Sequence, residues 1–270
     1  MTTPDRFEDL SDGLARGVRD HDDLIGLVLL GSASDAARAR RDEWSDHDFF
    51  ALIAQGRGAA VRPDLSWLPD PHRVALTARE GEIGFVAVYD DGHVFEFALA
   101  EPAELAGAVA EDATIVVDTG DVTAELIAAA RDRAAASDTW DPVNDTRLVL
   151  VKLLIGVGRA RRGETLVAGS FVRQWAVQHL VRAVRGRFPS RSTAHRDAID
   201  PVRRFELDFP AEAAAIADAV AEPVESAGRA LFQLTRQLLE PGWDLFPSRG
   251  ADAVAARLGW HDGAGGPRRS

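Results

Sequence analysis

The chain has 270 residues, 46% of them hydrophobic, and carries 43 acidic against 31 basic side chains for a net charge of −12. That length allows two domains with real cores, and the acid excess repels long polyanions, so nucleic acid is not an expected partner. The absence of cysteine excludes disulfides, thiolate metal sites and a cysteine nucleophile, which leaves carboxylates, histidines and hydroxyls for any chemistry.

No run reaches the roughly 18 uncharged apolar residues of a membrane helix, so no membrane partner is expected. The acidic start MTTPDRFEDL lacks the basic-then-apolar pattern of a signal peptide, which predicts a cytoplasmic protein. The negative charge would draw in a cationic small molecule, or it serves solubility alone.

In chain order, EDLSDGLARGVRDHDDL places Leu10, Leu14 and Val18 on one face of an amphipathic helix. The run LIGLVLL reads as a strand ending at Gly31-Ser32; ASDAARAR then suits a short helix, RDEW a loop and DHDFFALIA a second strand. Prolines interrupt DLSWLPDPHRVALTARE, where only RVALTA offers a short strand or turn. Two runs rich in β-branched and aromatic residues flank Asp90-Asp91-Gly92, a hairpin signal. PAELAGAV reads as a helix and ATIVVDTG as a strand.

From Val122 the period is helical, punctuated by SDTWDPVND at 137–145, where a domain boundary is expected. TRLVLVKLLIGVGRARRG, SFVRQWAVQHLVRAVRGRF, AEAAAIADAVAEPVESAGRALFQLTRQLL and ADAVAARLGW follow as helices able to form a bundle. The expected divisions are 1–138, 139–262 and a disordered tail over 263–270.

The candidate chemistry lies between the first two strands. Residues i and i+2 of a strand share a face, so Asp46 and Asp48 project together while His47 points away. Carboxylates that close repel one another unless a cation sits between them; in the plainer reading Asp46 caps a turn. Glu96 stands in the apolar run HVFEFALA, where an unpaired carboxylate is costly unless an edge strand turns it to solvent. Together the three acids form a set of hard oxygen ligands suited to magnesium or manganese, and two such ions can hold a triphosphate and activate a hydroxyl. Gly31 lets backbone approach a ligand, and a helix after Gly31-Ser32 would aim its amides and positive dipole end at phosphate.

Lys152, the chain's only lysine, interrupts the apolar helix LVLVKLLIGV and either offers a point charge to phosphate or snorkels to solvent. Arg38, Arg40 and Arg41 could also cover phosphates, but read better as a solvated face. Arg173, Gln174 and His179 share a helix with Trp175 and could line an acceptor pocket, although the aromatic and valines fit a core. His47, His179 and His195 lack the spacing of a zinc site and read as structural.

The pattern of Gly31-Ser32, Asp46-x-Asp48 and Glu96 resembles the nucleotidyltransferase superfamily of DNA polymerase β. The stretch GSASDAARARRDEWSDHDFF is similar to its antibiotic-modifying branch of lincosamide and aminoglycoside nucleotidyltransferases, as is IVVDTG. The motifs cover residues 24–120; the remainder matches in layout only. The family commonly has aspartate as third acid, so Glu96 is one methylene longer.

The resemblance implies an α+β fold: a mixed-sheet catalytic domain followed by a helical bundle that binds substrate. Asp46 and Asp48 would hold Mg2+, two ions in all with Mn2+ as the alternative, Glu96 would bind the ion or take the acceptor's proton, and Gly31, Ser32 and Lys152 would meet the nucleotide phosphates. The implied reaction moves AMP from ATP to a hydroxyl of a small molecule, a lincosamide or aminoglycoside among the candidates, with release of pyrophosphate. The competing expectation is a non-catalytic, antitoxin-type binding module of the same fold, and the charge disfavours a polymerase or RNA-tailing enzyme.

Overall fold

The computed structural model describes residues 3–192 and 195–260, so the tail expected over 263–270 lies outside the described residues. The chain divides into two compact units, Met1–Asp138 and Thr139–Ser270.

The first unit runs α1 (Thr3–Arg19), β1 (Leu24–Leu30), β2 (His47–Ile53), α2 (Gly58–Val61), β3 (Val74–Glu80), β4 (Gly84–Tyr89), β5 (Val94–Ala100), β6 (Ala113–Asp118) and α3 (Val122–Ser137). Its strands form one mixed sheet in the order β3-β4-β5-β2-β1-β6, with β2 and β5 parallel and the other neighbours antiparallel. Leu10, Leu14 and Val18 of α1 are fully buried in the cluster that holds Leu27, Leu29, Phe49 and Phe95 of the sheet. Ile127 and Ala130 of α3 pack with Val28 and Leu52, whose side chains leave the strands in the opposite direction. Asp118, at the end of β6, accepts the backbone N–H of Thr123 and Ala124 and so fixes the start of α3.

Three local readings change. RVALTA belongs to a full strand, β3, paired with β4 through Glu80; it is exposed along almost its whole length, so its sequence carries no alternation of buried and solvated positions. PAELAGAV yields only the 3-10 turn Pro102–Leu105, closed by the reciprocal Glu101 and Glu104 capping contacts. ASDAARAR forms no α-helix but two 3-10 turns, Gly31–Ala33 and Asp35–Arg40, separated by Ser34 in an extended conformation. The Ser34 hydroxyl donates to Gly31 O at 2.8 Å, a local bond that competes with helix propagation.

The second unit comprises α4 (Pro142–Arg161), α5 (Thr165–Gly169), a π-helical stretch Ser170–Trp175, α6 (Ala176–Arg187), α7 (Phe205–Asp208), α8 (Pro210–Ala221), α9 (Val224–Leu239) and α10 (Ser248–Leu258). Asp141 caps α4 by accepting the N–H of Val143 and Asn144. Val149, Leu153 and Val157 of α4 share one core with Leu180 and Val184 of α6 and Leu231 of α9. Arg185 is fully buried, and its guanidinium is satisfied by Asp208, Ser192 Oγ and the carbonyls of Pro201 and Arg203. No helix among the described residues is long and apolar enough to cross a membrane.

Candidate active site

The parallel pairing of β2 and β5 sets His47 opposite Phe95, Asp48 opposite Glu96 and Phe49 opposite Phe97. On one face the rings of Phe49 and Phe97 stack at 4.6 Å with planes 5° apart, deep in the α1-side core. The intervening pair, Asp48 and Glu96, therefore emerges together from the other face. A slip of one residue by either strand would turn that strand's carboxylate into the core and its ring to solvent, so the hydrophobic contact enforces the acidic one. β5 is hydrogen-bonded on both sides, to β4 and β2, so Glu96 is an exposed acid on an interior strand and the edge-strand reading does not hold.

Asp46 precedes β2 and is positioned by the turn after β1. Gly31 adopts φ 48°, a left-handed conformation natural to glycine, and a Cβ built on it would lie 3.3 Å from Asp48 Oδ2. Its N–H donates to Asp112 O at 3.0 Å. The Ser32 hydroxyl is within hydrogen-bond distance of two Asp46 acceptors, the backbone oxygen at 2.8 Å and carboxylate Oδ1 at 3.0 Å. Gly31, Ser32, Asp46, Asp48 and Glu96 are thus gathered at the sheet end where β1 finishes and β2 begins. Without an α-helix after Gly31-Ser32, the expected helix-dipole contribution at this turn is lost.

The turn is held instead by a residue assigned from sequence to a solvated face. The Arg41 side chain is only 13% exposed. Its Nε donates to Ser32 O at 2.8 Å, Nη2 to Ala33 O at 2.8 Å and to Ser34 O at 3.0 Å, and Nη1 to Glu8 Oε1 at 2.7 Å. The guanidinium also lies over the Phe7 ring, 4.7 Å from its centre. Arg38 and Arg40 pair with Glu8 and Asp112 and stay largely exposed, as expected. The run of arginines gives no sign of which one turns inward; the Phe7 and Glu8 pair on α1 that receives it is distant in sequence.

Behind the acids, His47 is fully buried, stacked on Phe7 at 3.8 Å. The Ser11 hydroxyl reaches Phe7 O at 3.2 Å and His47 Nε2 at 2.8 Å, and His47 Nδ1 lies 2.7 Å from His93 Nε2, within hydrogen-bond distance. Burial first, then the neighbouring His93 and Arg41, hold His47 well below the ordinary imidazole range, and burial lowers His93 as well.

Lys152 lies on α4 of the second unit, half-buried, its ammonium 5.7 Å from the Phe171 ring centre and 5.4 Å from that of Trp175. Phe171 and Trp175 belong to the π-helical stretch. His179 bonds Asp145 through Nδ1 at 2.9 Å and His195 bonds Asp208 at 2.9 Å, in keeping with structural roles. Arg173 is committed to the carbonyls of Val220 and Glu222.

Among the described residues, no group of three or more His, Cys, Asp or Glu side chains is arranged to hold a metal ion. Asp46 faces Ser32, while Asp48 and Glu96 stand as a pair. Magnesium characteristically takes one or two carboxylates together with substrate phosphates and waters rather than an all-protein cage. The donor set at this turn, carboxylate and hydroxyl oxygens alone, fits that ion.

No family model matches the chain. No curated protein matches its sequence. Among solved structures it is similar to an aminoglycoside 6-adenyltransferase from Bacillus subtilis, with 13% identity and a TM-score of 0.30 over 94% of this chain and 91% of that one.

Proposed function

We propose that the first unit is the catalytic domain of a nucleotidyltransferase. It moves a nucleoside monophosphate, AMP from ATP, onto a hydroxyl of a small cationic molecule of the aminoglycoside or lincosamide kind and releases pyrophosphate. The observation that carries this reading is the Asp48 and Glu96 pair on one sheet face, with Asp46 held by Ser32 at the Gly31 turn. Three acids and a Gly-Ser turn at the end of a strand are the constellation whose sequence pattern resembles that superfamily.

Asp46 and Asp48 are the residues that would hold Mg2+. When bound, the ion neutralises triphosphate charge and stabilises the charge that develops as the bond to pyrophosphate breaks. Gly31, lacking a side chain, leaves room for a phosphate beside Asp48. Glu96, longer than the family's usual aspartate and exposed, takes the proton of the acceptor hydroxyl as its oxygen bonds to the α-phosphorus. The bridging oxygen leaves with pyrophosphate and the proton passes from Glu96 to solvent. The net charge of −12 favours a cationic acceptor over an anionic one.

The test is a panel of nucleoside triphosphates against hydroxylated aminoglycosides and lincosamides with magnesium present, read as pyrophosphate release. Release that requires both ATP and an acceptor is expected. A panel with no release by folded protein, or purification with a tightly bound second protein, would turn the reading toward a non-catalytic module.

A further inference from the structure

We infer that Arg41 is a positioning residue of this site: it sets the Gly31–Ser34 turn and, through it, the direction of the Asp46 carboxylate. The inference rests on the nucleotidyl-transfer reading for its consequence, but its geometry is independent of any reaction.

Three consecutive carbonyls, those of Ser32, Ala33 and Ser34, converge on one guanidinium at 2.8–3.0 Å. Each bond fixes a peptide plane, and a trans peptide that aims its oxygen at Arg41 aims the N–H of the following residue away from it. Two of those N–H groups have identifiable acceptors: Ser34 donates to Gly31 O at 3.1 Å and Asp35 to Thr114 Oγ1 at 2.8 Å. The turn is therefore held from both sides. Ser32, whose carbonyl is the first of the three, carries the hydroxyl that contacts the Asp46 carboxylate. Rotation of the Ser32 peptide would move that hydroxyl and release Asp46.

The same guanidinium reaches β2 by a second route. It rests on the Phe7 ring, which stacks on His47, the residue between the two aspartates. Glu8, adjacent to Phe7, pairs with Nη1 and fixes the guanidinium to α1. One planar cation thus links α1, the turn and the back of β2. The role needs a fork: lysine offers a compact charge whose donors cannot spread over three carbonyls, a carboxylate and a ring.

The experiment compares wild type with Arg41→Lys and Arg41→Ala by amide hydrogen exchange at residues 32–35 and by calorimetric titration with Mn2+ plus a non-hydrolysable ATP analogue. Thermal melting checks that each variant folds. Exchange at the turn is expected to rise at least tenfold in both variants, with protection of β4 and α3 unchanged. Affinity for the metal–nucleotide pair is expected to fall tenfold or more in Arg41→Ala and to recover in part when millimolar guanidinium fills the vacated site. If Arg41→Ala does not fold, Arg41→Lys carries the same readouts. Wild-type exchange at the turn in a folded variant that binds nucleotide normally overturns the inference. Faster exchange in the variants with no nucleotide binding by the wild type overturns the transfer reading instead and leaves the brace standing.

Discussion

Asp48 and Glu96 face each other across the parallel strands β2 and β5, and the Phe49–Phe97 stack on the reverse side locks the register that brings them together. Like charges directly opposite in a sheet are destabilising, by a few tenths to about 1 kcal/mol. On the proposed reading, a fold that retains such a pair beside a third acid at the neighbouring turn would trade stability for a site that receives a cation.

The first prediction concerns the aspartates. Asp46→Asn and Asp48→Asn each remove one anionic oxygen from the metal donors and should lower nucleotidyl transfer by about a thousandfold, corresponding to several kcal/mol of charge stabilisation supplied through the ion. Both proteins should remain folded, since neither carboxylate belongs to a hydrophobic cluster. Pyrophosphate release and urea unfolding measure the two halves of the claim. Normal turnover by both variants would remove the metal argument.

A second prediction tests the glycine at the turn. Gly31 has φ 48°, and an alanine Cβ there would meet Asp48 Oδ2 at 3.3 Å. Gly31→Ala should cost roughly 1–3 kcal/mol of unfolding free energy for the left-handed backbone and weaken metal–nucleotide binding by displacing Asp48. A urea melt and a Mn2+ titration would show both effects. Unchanged stability would mean the turn relaxes to a different conformation.

How legible these features were depends on where each constraint acts. α1 follows from a buried face that recurs every four residues, and β1, β2 and β5 from short apolar runs bounded by turn residues. β3 shows in the sequence only as a short strand or turn over RVALTA, because neither face of it is buried well enough to leave a pattern. Asp46, Asp48 and Glu96 stood out as acids against apolar runs, yet their pairing needed the β2–β5 register, which links residues 48 apart. Arg41 does not stand out from Arg38 and Arg40 in the sequence, because three of its acceptors are backbone carbonyls, which have no sequence signature, and the fourth, Glu8, is distant along the chain.

The third prediction is a pH dependence of stability. Burial depresses His47 and His93 below the ordinary imidazole value of about 6.5. A base with a lowered folded pKa binds fewer protons folded than unfolded, so its stability contribution is complete above the unfolded pKa. It is lost as pH falls through and below that value. Protonating both rings would also set two N–H donors against each other across the 2.7 Å contact between His47 Nδ1 and His93 Nε2. The urea midpoint should therefore drop between pH 7.5 and 5, and His93→Ala should flatten that drop. An equally steep slope in the variant would place the titration elsewhere.

The last prediction separates the two roles open to Glu96. If Glu96 takes the acceptor's proton, Glu96→Gln leaves metal–nucleotide affinity near the wild-type value, because Asp46, Asp48 and the Gly31–Ser32 turn are untouched. Transfer should still slow by about a hundredfold or more, the usual contribution of a positioned general base. If Glu96 instead supplies an oxygen to the ion, affinity and rate should fall together. Glu96→Asp distinguishes further: it keeps the charge and pulls it back by one methylene, so a proton acceptor that works by reach loses part of its rate with affinity preserved. In either case Glu96→Gln should unfold at slightly higher urea than wild type in the absence of metal, since it relieves the repulsion with Asp48 across the strands. A glutamine variant with normal transfer would reduce Glu96 to a solvated acid and leave the site to the two aspartates.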